Sequence, residues 1–126
     1  MENNINLELE HKYDPEVDAI FISVKKKYDY KTSIELNNDI ILDFDKNENP
    51  VALEILNTSK VLGVSKSNLE NIKNIRIDVN IDEKSIKLNA CFDIFIDNHE
   101  KTTRVSPFTS NNIGIPNIET KLASVK

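Results

Sequence analysis

The sequence predicts a mainly β (α+β) fold: two antiparallel β-meanders joined by one short helix, packed either as a small sandwich or as one extended sheet. Three observations lead there. Apolar and polar residues alternate with a period of two in several segments, which is the signature of half-buried strands. Clusters of Asn, Asp and Pro separate those segments, and a single stretch carries helical spacing.

Ile5, Leu7 and Leu9 alternate with Asn6, Glu8 and Glu10, and a turn follows at Asp14 and Pro15. Residues 18–24 place Ile20, Ile22 and Val24 on one face and Ala19 and Phe21 on the other, so this strand is apolar on both sides and belongs inside the sheet. Residues 25–31 read as a polar loop, 32–36 as a short strand, and Asn37, Asn38 and Asp39 as a turn. Residues 40–45 and 51–56 make the clearest hairpin, closed by 46–50. Its stability is expected to rest on Ile40, Leu42, Leu53 and Ile55 and hardly on Asp45. Ser65 followed by Asn68, Leu69 and Ile72 predicts one short helix with Ser65 as N-cap. Alternation resumes over residues 75–81 and again over 86–96, with 102–108 as a third strand. Gly114 and Pro116 point to a loop and a frayed helical end. The organisation expected is a first meander over residues 1–60, a helix and second meander over 61–109, and a tail over 110–126.

The 126 residues are 39% hydrophobic and 29% charged, enough for one or two small cores. No apolar run approaches the roughly 18 residues of a membrane span, and residues 1–4 lack the basic-then-apolar order of an export signal. The lone Cys91 cannot form an internal disulfide or supply a Cys-rich zinc site, and cytoplasmic residence is expected. Net charge is -5, and Arg76 and Arg104 are the only arginines, which disfavours a polyanionic partner. With only Gly63 and Gly114, the chain must turn on Asn and Asp, which tolerate left-handed backbone.

The run Tyr13-Asp14-Pro15-Glu16-Val17-Asp18-Ala19-Ile20-Phe21-Ile22 is followed in order by Ile41-Leu42-Asp43-Phe44-Asp45 and Ala52-Leu53-Glu54-Ile55-Leu56-Asn57-Thr58-Ser59-Lys60. These blocks resemble the signature of domain of unknown function 2283 over residues 11–60. The resemblance implies a compact antiparallel sheet there. That family has no established activity, and its members are similar to small accessory proteins sometimes encoded beside toxin-like proteins, so a toxin-like protein is an implied partner. Its second hairpin usually turns through Asp-Gly, whereas Asn47-Glu48-Asn49-Pro50 stands here.

Four groups of residues could carry chemistry. His11, Asp14, Glu16 and Asp18 are the densest titratable cluster and could serve a metal-dependent or acid–base hydrolase. Asp14 before Pro15 equally starts a turn, with the other carboxylates bonding backbone. Asp43, Asp45, Asn47 and Glu54 match positions of a calcium loop, but Glu48 stands where that loop needs glycine and the flanking alternation demands a hairpin. In the basic stretch Lys25-Lys26-Lys27-Tyr28-Asp29-Tyr30-Lys31, the residues Lys26, Lys27, Tyr28 and Tyr30 could bind nucleic acid by stacking and phosphate contacts, or better a protein partner. Cys91 has only Lys87 as a basic neighbour in sequence and no mark of a nucleophile. No catalytic residues, metal site or cofactor are assigned.

These features lead to an expected non-enzymatic interaction module that self-associates as a homo-oligomer, most simply a dimer, or binds a protein partner. Phe21 and Phe95 lie opposite the main apolar stripes of their strands, and few of the usual blocking devices appear along the edge from Thr102 to Val105.

Overall fold

The expected alternations become strands in a computed structural model that describes residues 6–124. The chain forms β1 (Asn6–Asp14), β2 (Ala19–Val24), β3 (Tyr30–Glu35), β4 (Ile40–Asp45) and β5 (Pro50–Ile55). After α1 (Thr58–Leu62) and a 3-10 helix (Ser67–Asn71) come β6 (Ile72–Ile81), β7 (Ser85–Ile96), β8 (His99–Val105), β9 (Phe108–Ser110) and β10 (Ile118–Ala123). Hydrogen bonding links them in the order β3-β4-β5-β2-β1-β10-β6-β7-β8, with β9 beside β7. All pairs are antiparallel except β1 with β10.

The fold is therefore mainly β, as the periodicity predicts, and it unites both expected packings. The strands form one continuous path, yet the inward side chains of its two halves share one core. Leu9, Ile20, Ile22, Ile40, Leu42, Phe44, Leu53 and Ile55 of the first half cluster with Ile75, Ile77, Val79, Leu88, Phe92 and Ile94 of the second. Burial of such side chains is worth about 1.5–3 kcal/mol each relative to exposure. Of the alternating set expected in β1, Leu9 is buried; Ile5 and the side chain of Leu7 lie outside the described residues.

Two expectations fail. Residues 118–123 form strand rather than frayed helix, because Ile118, Thr120 and Leu122 alternate inward and the backbone finds partners on both sides. The helix expected from Ser65 is a 3-10 turn, Ser67–Asn71, with Leu69 buried; Ser65 Oγ lies 3.4 Å from the Asn68 amide, too long for a strong cap. A regular α-helical turn lies earlier, at α1, and Gly63 ends it in left-handed backbone. Among the described residues no helix is long and apolar enough to cross a membrane.

The glycine-poor chain turns largely on Asn and Asp, as its composition requires. Side-chain oxygens of Asp14, Asn37, Asp45 and Asp82 each accept backbone N–H groups two to four residues ahead. Left-handed backbone falls on Asp18, Asn57, Asp97 and Asn98, with Glu48 the outlier at φ 64°. In the β4–β5 turn the Asp45 carbonyl accepts the Glu48 amide, and the Asp45 amide donates to the Asn49 carbonyl. This is a type I turn with Lys46 and Asn47 at its centre, followed by Glu48 in the left-handed position that glycine normally takes. Asp45 is buried, and one of its carboxylate oxygens accepts the amides of Asn47 and Asn49, both at 2.9 Å. The expectation that Asp45 hardly matters is thereby corrected: it supplies acceptors that this turn's amides would otherwise lack.

Two measurements check this account by denaturant unfolding. Glu48→Gly is expected to stabilise by about 1 kcal/mol, since left-handed strain of about 1–2 kcal/mol is relieved and the exposed Lys31–Glu48 ion pair it removes is worth at most about 1 kcal/mol. Leu122→Ala is expected to cost about 2–5 kcal/mol as a core deletion, against less than about 0.5 kcal/mol had this segment been a frayed surface tail.

Candidate functional site

The family signature closes on itself through Asp18. The β1–β2 turn holds Asp18 in left-handed backbone at φ 55°, which swings its carboxylate toward the start of α1. One oxygen accepts the Tyr13 hydroxyl at 2.7 Å and the Ser59 amide at 3.0 Å; the other accepts the Ser59 hydroxyl at 2.6 Å. The Asp18 carbonyl takes the Thr58 amide at 2.9 Å. The fully buried Thr58 hydroxyl lies between that carbonyl (3.1 Å) and that of Ile55 (2.8 Å). Burial works to raise the Asp18 pKa, but the bonds from Ser59 and Tyr13 prevail and hold it below the ordinary aspartate value. Burial and the bond to Asp18 push the Tyr13 phenol far above its usual range. An ionised Asp18 that accepts three hydrogen bonds and a Tyr13 whose phenol is held protonated form a clamp rather than an acid–base pair.

The remaining members of that sequence cluster are dispersed. Asp14 accepts the Glu16 amide at 3.0 Å in an exposed Asx turn, and His11 stands on β1 opposite Ile22. The calcium-loop carboxylates are also separated: Asp43 accepts the Ser33 hydroxyl, Asp45 caps its own turn, and Glu54 lies mid-strand opposite Phe21 and Ile41. Among the described residues no group of three or more His, Cys, Asp or Glu side chains could hold a metal ion.

The basic stretch divides. Lys26, Lys27 and Tyr30 are exposed, whereas Tyr28 packs against the core, and its burial, with the charge of Asp43, raises its pKa. Lys25 pairs with Glu8 at 2.9 Å and Lys31 with Glu48 at 3.0 Å. Lys26 borders a cleft of about 290 Å³ between the β4–β5 turn and residues 116–120, whose polar wall is Asp45, Asn47, Glu48, Asn49, Asn117 and Thr120.

On the outer face of the second half, Asp93 accepts Arg76 at 2.6 and 3.4 Å and the Thr102 hydroxyl at 2.6 Å. The Arg76 bonds, joined by that of Thr102, hold the Asp93 pKa low, and the same contact raises that of Arg76. Cys91 sits half-buried and directly opposite both Arg76 and Arg104 on the adjacent strands, which corrects the reading that Lys87 is its only basic neighbour. Sequence reasoning also missed Ser59 and Thr58 as the partners of Asp18; their place in the third signature block was the available signal.

These features define a small mixed-sheet protein in which the Asp18 cluster ties the β1–β2 turn to the start of α1. Residues 11–59 match the model of a family described as protein of unknown function (DUF2283), and this segment of the chain belongs to that family. It is also similar to a protein of Methanosarcina mazei named "Putative hypoxanthine phosphoribosyltransferase", being 30% identical over 111 residues that cover 88% of this chain and 89% of that protein. No solved structure matches.

The clamp makes a pH-dependent prediction. A folded pKa below the unfolded value near 3.9 stabilises the protein above that pH, and the contribution is lost as pH falls through the lower folded pKa. Asp82 and Asp93 act in the same window. Asp18→Asn keeps a residue that tolerates left-handed backbone and is expected to cost about 1.5–3 kcal/mol at neutral pH, the worth of bonds to a charged group. The gap between wild type and variant should close below pH 4 when urea unfolding is followed against pH.

Proposed function

We propose that the protein is a small, non-enzymatic cytoplasmic interaction module that self-associates or binds a protein partner through an open strand edge. The observation that carries this reading is β8. Among the described residues it ends the hydrogen-bonded path and pairs on one side only, and it keeps unbroken register with β7 over all seven residues. Glu100, Lys101, Thr102 and Arg104 along it are exposed. An edge without bulge or internal proline is a template for a further strand. The opposite edge, β3, is interrupted by a bulge between Tyr30 and Thr32. The exposed Lys26, Lys27 and Tyr30 beside β3 form a secondary contact for a partner, a toxin-like protein being the one that the family resemblance suggests.

Three facts favour this reading over its rivals. Asp18 is engaged in the clamp, which leaves a hydrolase without its central carboxylate. Arg76 is engaged by Asp93, and Lys25 and Lys31 by carboxylates, which weakens the case for nucleic acid. Transfer of a phosphoribosyl group, as the Methanosarcina mazei protein's name describes, asks for a phosphate cradle of backbone amides at a helix start. Here α1 spans five residues and opens on Asn57 in left-handed backbone, without a glycine-rich loop.

Two experiments test the proposal. Thr102→Pro removes an N–H that faces away from β7, so it blocks the edge and spares the β7–β8 ladder; Thr102→Lys blocks it without a backbone change. Association with itself or with a partner retained by the immobilised chain should be lost in both while circular dichroism is unchanged; association untouched by both overturns the edge reading. Hypoxanthine at about 1 mM should leave the melting temperature unaltered, whereas a site with Kd near 0.1 mM would add about 1.4 kcal/mol, a rise of several degrees.

A further inference from the structure

The turn before β8 fixes which of its backbone groups face away from β7. Asp97 and Asn98 both have positive φ, 50° and 65°, and form the two-residue turn between β7 and β8. Such a turn closes on a hydrogen-bonded pair, here Ile96 with His99, so the backbone groups of His99, Lys101, Thr103 and Val105 face β7. The Leu88 amide donating to the Pro107 carbonyl at 3.1 Å continues that alternation along β7. So does the 2.6 Å contact of Thr102 with Asp93, since side chains approach most closely at non-hydrogen-bonded pairs. The outward backbone groups are therefore those of Glu100, Thr102 and Arg104. Their side chains share the outer sheet face, because Thr103, between them, lies opposite the buried Phe92.

Resting on the interaction reading, we infer that the partner at this edge is a second copy of the chain, joined antiparallel about a two-fold axis through Thr102. In this register all three outward residues exchange hydrogen bonds with the copy, and Glu100 of each chain stands directly opposite Arg104 of the other. Centring the axis on Glu100, Lys101 or Arg104 instead sets like charges against each other, and centring it on Thr103 leaves Glu100 without an opposite charge. Charge thus selects the one arrangement that also uses every outward backbone group. Directly opposed charges on one sheet face contribute, and like charges subtract, about 0.2–1 kcal/mol per pair, and the symmetry presents each pair twice.

Sedimentation of the full-length wild type from about 1 to 100 μM, a range suited to an association of modest strength, should show monomer passing to dimer. Glu100→Lys and Arg104→Glu are each expected to weaken dimerisation about tenfold, two pairs being converted from attraction to repulsion. The double variant Glu100→Lys/Arg104→Glu should recover wild-type affinity, which no merely structural role of either residue would produce. A dimer abolished by Thr102→Pro but indifferent to the charge changes, or not rescued in the double variant, overturns this register and leaves the edge reading standing. A wild type monomeric throughout the range overturns the dimer, and a foreign partner still displaced by Thr102→Pro would keep the module reading. Loss of neither association in Thr102→Pro overturns both.

Discussion

The architecture depends on one strand that changes partners. β1 pairs in parallel with β10 through Asn6, Leu7 and Glu8, then antiparallel with β2 from Leu9 onward. Everything before α1 belongs to one side of that seam and everything after the 3-10 helix to the other. The two sides share a core only because β10 lies between β1 and β6 and turns two separate sheets into one path. The Lys25 amide donating to the Glu8 carbonyl at 2.9 Å, at the point where β1 changes partner, fixes the change further. A sheet with one apolar face must bury that face against another layer; here each half is the cover of the other.

The scarcity of glycine shapes the remaining polar chemistry. Where a tight turn needs left-handed backbone or extra acceptors, this chain spends an Asp or Asn, and the side-chain oxygen then binds the turn's own amides. Asp18 extends the device from a local turn to a tertiary contact, since it reaches Ser59, 41 residues away in sequence. Tyr13, Asp18, Thr58 and Ser59 fall in the first and third signature blocks. Their conjunction in space accounts for those blocks by folding: the β1–β2 turn is bound to the end of β5 and the start of α1. A carboxylate committed in this way is unsuited to proton transfer, although in sequence it sits in the densest titratable cluster of the chain.

The strands were legible where one face is uniformly apolar. Ile20, Ile22 and Val24, or Ile75, Ile77, Val79 and Ile81, need no tertiary information to be read as strands. β10 was not legible, because its middle inward residue is Thr120, which breaks the apolar stripe, and because Gly114 and Pro116 precede it. Its identity as a strand comes from two neighbours that lie far off in sequence. α1 was hidden for a related reason. It has five residues, and what anchors its start is the Asp18 carboxylate, which no local pattern announces. The outward position of Asp93 was readable from alternation, while its burial beneath Arg76 was not; register alone brings that pair together.

The two ends of the path manage the hazard of an open edge differently. β3 carries a bulge between Tyr30 and Thr32, which interrupts regular pairing of a further flat strand along its length. β8 carries no bulge. Its protection is electrostatic: Glu100, Lys101 and Arg104 set charges of both signs at unequal spacing, which penalises most registers in which a further strand could join. Such a pattern does not close an edge outright. In the proposed dimer it would discriminate, because the incoming antiparallel strand sets a cation opposite Glu100 and an anion opposite Arg104. Under the proposed reading, the bulge in β3 and the charges along β8 would together confine strand addition to one edge and make it selective there.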